Sequence, residues 1–225
     1  ANRGACYQLC RRGYEVTDLE TGTKLNIDNK YIMSPKDLCT IEFMDKIIDA
    51  GVKVFKIEGR ARSAEYVKKT AECYRRAADA VCEGRYTPDL AASLKEELSE
   101  VFNRGFWDGY YQGAKLGEWS DVYGSHATRK KIYCGKITNW FDRISVAEVL
   151  IESEPLRKGD DILIIGETTG VIEQTVSEIR VDLKPTEKAA KGVLCSVPVI
   201  FPDDIRNPGG KKIRRGDKVY IWMEI

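Results

Sequence analysis

Histidine is almost missing from this chain: His126 is the only one in 225 residues. Enzymes with a serine or cysteine nucleophile ordinarily set a histidine base beside it, and an H-E-x-x-H zinc site needs two histidines. There is no G-x-S-x-G elbow either, and His126 stands in a linker with no triad around it. These gaps speak against the common hydrolase designs. Long apolar runs are also lacking, since none approaches the roughly 20 residues that cross a bilayer. The start carries no signal-peptide pattern, so a cytoplasmic location is the expectation, with no membrane partner. An excess of one charge is the third absence. Thirty-six basic side chains against 35 acidic ones leave a net charge of +1. Nucleic acid cannot then be held by the overall field. Any RNA contact would need a local patch such as Arg11 and Arg12, or Lys211, Lys212, Arg214 and Arg215. Runs of this kind are more commonly solvated surface.

What is present is thiol and a mixed pattern of elements. The composition, 43% hydrophobic and 32% charged, is that of a globular protein able to bury one large core or two smaller ones. Ser34-Pro35-Lys36-Asp37 reads as a helix start, and Ile41, Met44, Ile47 and Ile48 recur at helical spacing up to Gly51. Val52 to Ile57 reads as a short buried strand that delivers Glu58-Gly59-Arg60 at its C-terminal end. A second helix begins near Ser63, with Glu65 in its first turn and Val67, Ala71, Tyr74, Ala78 and Val81 on one face. Helix, strand, helix with a charged tripeptide after the strand suits an α/β barrel, whose strand ends line the active site. A further helix starts at Pro88-Asp89 and runs to about Phe102, followed by an aromatic tract punctuated by glycine.

The character changes between Gly124 and Arg129. Six strand-like runs follow (132–139, 144–151, 161–165, 170–179, 192–200 and 218–223), separated by turn signals. The expected fold is therefore α+β: residues 1–125 as the C-terminal portion of a TIM-like α/β barrel with linker helices, and residues 126–225 as a small all-β barrel. The sequence opens at Ala1 inside a motif and reads as the downstream part of a longer polypeptide.

Seven cysteines without a secretion signal do not suggest a disulfide framework. Cys6 and Cys10, four apart, can share one helix face or one metal, and packing is the competing reading. Arg11 and Arg12 would favour the thiolate form of Cys10. Cys6, Cys10 and Cys39 fall in loops or helix starts and are candidate ligands of a zinc or iron–sulfur site. Cys73, Cys82, Cys134 and Cys195 fall inside elements and read as packing. Lys56, Glu58 and Arg60 are candidate substrate contacts at the barrel strand's end, with a mutual ion pair as the equal alternative.

Three motifs in order carry a resemblance: Asn2-Arg3-Gly4-Ala5-Cys6-Tyr7-Gln8-Leu9-Cys10-Arg11, then Ser34-Pro35-Lys36-Asp37-Leu38-Cys39, then Lys56-Ile57-Glu58-Gly59-Arg60 with Ser63-Ala64-Glu65-Tyr66-Val67. Together they resemble the collagenase-like peptidase family U32, clearly to about Gln112 and more loosely through the β-domain, which looks like the family's C-terminal barrel. The resemblance implies a cysteine-bound iron–sulfur cluster, of the 4Fe-4S type, incomplete in this chain. Cys6 and Cys39 match the family's ligand positions, and Cys10 belongs to the motif. A missing N-terminal half or a second chain would complete the site. The family's historical label is protease or collagenase, while other members hydroxylate RNA bases in tRNA or rRNA, or a quinone precursor. The expected function is iron–sulfur-dependent RNA base modification, with a collagenase-like peptidase and a non-catalytic RNA- or protein-binding module as the alternatives.

Overall fold

The computed structural model describes residues 9, 12–27, 35–60, 62–120, 124–201 and 213–225. Cys6, Cys10, Arg11, Ser34, Lys211 and Lys212 lie outside the described residues. The chain divides into two compact units, one of residues 1–58 and 69–127, the other of residues 59–68 and 128–225.

In the first unit, β1 (Tyr14–Thr17) and β2 (Lys24–Ile27) form an antiparallel hairpin. Asp18 stabilises its turn by accepting the Glu20 and Thr21 N–H groups at 2.8 and 3.0 Å. The strand β3 (Asp37–Leu38) comes next, followed by a 3₁₀ turn at Ile41–Phe43, α1 (Met44–Asp49), α2 (Ala64–Cys82), α3 (Pro88–Ser99) and β4 (Phe106–Trp107). The helix expected from Ser34 begins ten residues later. Its first part is claimed by tertiary bonds instead: β3 pairs in parallel with β4, and the Asp37 carboxylate receives the Arg104 guanidinium at 2.7 Å. The stop is as the sequence suggests, with Gly51 at φ 88° after the last turn. The start of α3 is set by Thr87, whose hydroxyl accepts the Leu90 N–H at 3.2 Å, with Pro88 in the first turn. Leu94 and Leu98 from α3, Cys73 and Ala77 from α2, and Ile41, Met44 and Cys39 make this unit's core.

Val52 to Ile57 form no strand, and all six are exposed, Val54 by 82%. A strand exists through a ladder to a neighbour, and no described segment pairs with this one. The β-branched run gave the composition of a strand without its partner.

The second unit is built on one antiparallel eight-stranded sheet. Its strands are β5 (Arg129–Phe141), β6 (Val146–Ile151), β8 (Asp161–Gly166), β9 (Gly170–Thr175), β10 (Ile179–Val181), β11 (Lys184–Thr186), β13 (Leu194–Pro198) and β14 (Lys218–Glu224), and β7 (Leu156–Arg157) pairs separately with β12 (Lys188–Ala189). The spatial order is β11-β10-β13-β6-β5-β14-β8-β9. Alternation sets the buried face: Ala147, Val149 and Ile151 point inward from β6, while Val146, Glu148 and Leu150 do not. Inward residues from both ends of the sheet, including Ile172, Ile179 and Val197, share one core, so the sheet rolls around it.

No backbone ladder joins the two edges among the described residues, so the closed barrel expected from the strand count is not seen among them. At the β11 edge Pro185 removes one N–H donor. Near the other edge a side chain makes the bridge: Gln174 of β9 donates to the Pro198 carbonyl at 2.8 Å and accepts the Ile200 N–H at 2.9 Å. On the outer face, Glu65 and Lys68 from the start of α2 pair with Lys131 and Glu173 at 2.9 and 3.9 Å.

The β10–β11 hairpin turns on Asp182 and Leu183, with φ values of 49° and 64°. Glycine and asparagine suit such positions, and a leucine there is strained by about 1–2 kcal/mol. Leu183 is 85% exposed and recovers little by burial. Leu183→Gly is therefore expected to raise the unfolding free energy by about 1 kcal/mol, read as a higher urea midpoint with an unchanged slope.

Candidate functional site

Of the three candidate ligands, Cys39 is the one the structure describes. It follows β3 and is held there by its own N–H, which donates to the Trp107 carbonyl at 2.9 Å. Its side chain is 6% exposed and packs into the core with Ile41, Met44 and Leu94. The Tyr74 hydroxyl of α2 sits above the sulfur, 3.8 Å from Cys39 Sγ, and accepts the Thr40 N–H at 2.9 Å. Tyr86 packs against the same core and donates to the Ile41 carbonyl at 2.5 Å.

Burial pushes the Cys39 thiol up from its ordinary range. The Ile41 N–H, the Tyr74 hydroxyl and the Lys95 ammonium pull it the other way, while Glu42 opposes them. Lys95 and Glu42 are themselves paired at 2.5 Å. Tyr74 is raised chiefly by the same burial. The sequence put Tyr74 on one face with Val67, Ala71, Ala78 and Val81, whereas the fully buried positions of α2 are Thr70, Cys73, Ala77 and Ala80. Nothing in that spacing pointed to a hydroxyl bonded to a cysteine. Lys95 and Glu42 are 53 residues apart and gave no local signal.

A lone buried thiol in an apolar pocket, with a hydroxyl donating to its sulfur, fits one position of a soft-metal site. Iron–sulfur centres are held by thiolates, and burial and hydrogen bonds to sulfur tune them. Among the described residues no group of three or more His, Cys, Asp or Glu side chains could hold a metal ion. Cys39 is thus one candidate donor, and Cys6 and Cys10 lie outside the described residues.

Lys56, Glu58 and Arg60 are all exposed and follow one another along the irregular stretch after Val52. The barrel-strand end that would have aimed them is not formed by the described residues. The electrostatic surroundings of Cys39 come from Lys95 and Glu42.

The other thiols separate by burial. Cys73, Cys134 and Cys195 are core residues, as their positions inside elements suggested. Cys82 differs: it ends α2 and is exposed, so packing does not account for it. Native protein treated with iodoacetamide is expected to label Cys82 well ahead of Cys39, Cys73, Cys134 and Cys195, because alkylation needs both access and thiolate. Peptide mass mapping before and after unfolding reads this directly. No described helix is long and apolar enough to cross a membrane.

Comparison with known proteins gives the context. Residues 1–121 match the model of Peptidase family U32. A protein named Collagenase from Porphyromonas gingivalis is 54% identical over 220 residues, which cover 98% of this chain and 51% of that protein. The 23S rRNA 5-hydroxycytidine C2501 synthase of Escherichia coli (strain K12) is 33% identical over 189 residues, 79% of this chain and 27% of that protein. The tRNA hydroxylation protein P1 of Bacillus subtilis (strain 168) is 29% identical over 184 residues, 80% of this chain and 43% of that protein. The chain spans about half the length of the collagenase it matches. With the family model covering more than half of its residues, and this identity across nearly its whole length, the chain belongs to peptidase family U32.

Proposed function

We propose that this chain is part of an iron–sulfur protein that hydroxylates a base in tRNA or rRNA. The observation that carries the reading is the setting of Cys39: a buried soft donor with the Tyr74 hydroxyl on its sulfur, in a chain related to proteins named for tRNA hydroxylation and 5-hydroxycytidine synthesis. Cys39, with Cys6 and Cys10 as its motif partners, would hold the cluster. When bound, the cluster would supply one-electron chemistry at a dry site. Tyr74 would orient the Cys39 sulfur and hold a proton against it. Thr40 fixes the Tyr74 ring by donating its N–H, and Leu94 and Met44 exclude water from this side. Lys56, Glu58 and Arg60 would meet the RNA substrate, the cations facing phosphate and Glu58 accepting from a base edge.

The setting of Cys39 also bears on the peptidase reading. A nucleophilic cysteine needs a base beside it and access to its substrate, whereas Cys39 is 6% exposed and its sulfur meets the Tyr74 hydroxyl.

The test is anaerobic purification of the full-length gene product, followed by iron, acid-labile sulfide and absorption measurements. Brown protein with matched iron and sulfide is expected. A colourless, iron-free protein obtained anaerobically would remove the reading. The 54% identity to a protein named Collagenase favours a second reading, peptidase activity on collagen or gelatin. Gelatin cleavage that copurifies with the protein through successive columns and is lost in a single point variant would establish it. Cleavage that separates from the protein would eliminate it.

A further inference from the structure

The turn that opens the last strand concentrates positive charge and turns its one carboxylate away. Arg214, Arg215 and Lys218 are exposed, Gly216 takes φ 96°, and Asp217 is buried. Asp217 accepts the Thr169 hydroxyl at 2.5 Å and the Arg214 N–H at 2.8 Å. The turn is also pinned to β5: the Gly216 N–H donates to the Ile137 carbonyl, and the Ile137 N–H to the Asp217 carbonyl, both at 2.8 Å. These bonds fix the backbone that carries the three cations.

Lys136 stands directly opposite Lys218 across the β5–β14 ladder. Like charges in that position repel. Glu152 offsets Lys136 at 2.6 Å, but no described carboxylate forms an ion pair with Arg214, Arg215 or Lys218. The neighbouring outer surface carries two rings, Tyr133 and Tyr220, in edge contact with centroids 5.6 Å apart. Glu152 joins the two features, accepting from both Lys136 and Tyr133. Cations that pair with no described carboxylate, beside half-exposed aromatic rings, resemble the means by which proteins follow a single strand of nucleic acid: counterions are released from phosphates, and bases stack on π faces.

We infer that Arg214, Arg215 and Lys218, with Tyr133 and Tyr220 beside them, bind the phosphate backbone of single-stranded RNA. The inference rests on the RNA reading above and assigns it a contact surface.

The experiment measures binding of a fluorescein-labelled oligouridylate to the full-length protein by anisotropy over a range of salt concentrations. The wild type is expected to weaken steeply with salt. In the variant Arg214→Gln/Arg215→Gln/Lys218→Gln, the slope of log affinity against log salt should be shallower by about 2, since each phosphate contact on a single strand contributes about 0.7. Lys191→Gln, an exposed lysine elsewhere in the unit, should leave the slope unchanged. RNA-dependent protection of Arg214 and Arg215 from phenylglyoxal in the wild type gives a readout that needs no folded variant, and protection is expected. Equal slopes in wild type and folded triple variant, an equal loss in Lys191→Gln, no protection, or no wild-type binding at low salt would each overturn the inference. The hydroxylation reading fails by a different result, namely cellular RNA whose nucleosides do not depend on the gene.

Discussion

Replacing Cys39 by alanine is expected to lower the iron and acid-labile sulfide of anaerobically purified protein by roughly tenfold or more. A four-iron cluster draws on four thiolates, and losing a ligand costs more than the 10–100-fold typical of an outer-shell partner. Tyr74→Phe should behave differently. It keeps the ring and removes only the hydroxyl that reaches the Cys39 sulfur at 3.8 Å. Iron content should then hold while the reduction potential shifts downward, because a hydrogen bond to the sulfur stabilises the more negative, reduced state. Cys73→Ala gives the control for a merely structural thiol: it removes an equally buried core cysteine and should cost stability with no loss of iron per folded molecule. Equal iron in wild type and Cys39→Ala would remove Cys39 from the site.

Alkaline pH should loosen the β unit before it affects its exposed surface. Burial pushes the Cys134 and Cys195 thiols up to about 12, from an ordinary value of 9.0, and the charge of Cys195 adds to the rise at Cys134. An unfolded chain loses these protons near pH 9 while the folded one keeps them. Stability is therefore whole below pH 9 and falls between 9 and 12, by roughly 1.4 kcal/mol per pH unit for each thiol. At pH 10 the two together cost roughly 3 kcal/mol, a large share of a small domain's stability. Urea unfolding of the protein at pH 8 and pH 10 reads the effect. The double variant Cys134→Ala/Cys195→Ala starts lower because of its cavities but should lose markedly less between the two pH values. An equal loss in variant and wild type would place the alkaline sensitivity elsewhere.

Elements whose stabilisation is local could be read from the chain. Thr87-Pro88 marks the start of α3, and the apolar run from Val146 to Ile151 marks β6. Helical spacing placed α2 but not its buried face, which is Thr70, Cys73, Ala77 and Ala80 rather than the line from Val67 to Val81. Elements decided by distant partners could not. The Ser34-Pro35 signal lost to the pairing of β3 with β4 and to the Asp37–Arg104 ion pair, whose two residues are 67 apart in sequence. Val52 to Ile57 has strand composition and no ladder, because pairing is a property of two segments. The strand count suggested a barrel, yet closure depends on edges, and here a glutamine side chain bridges where a ladder would.

The site was legible in the same uneven way. Motif order singled out Cys39, and the structure added Tyr74, Lys95 and Glu42 around it. Arg214 and Arg215 were visible as a charged run. That Asp217 turns inward, away from pairing with them, depends on Thr169, 48 residues away.

The central claim is that this protein hydroxylates RNA with a cluster held in part by Cys39. Its most direct test is nucleoside mass spectrometry of tRNA and rRNA from a strain lacking the gene, complemented with wild type or with Cys39→Ala. The account predicts one nucleoside heavier by a single oxygen atom that is lost in the deletion, restored by wild type and not restored by Cys39→Ala. Nucleoside profiles identical in all three strains would contradict it.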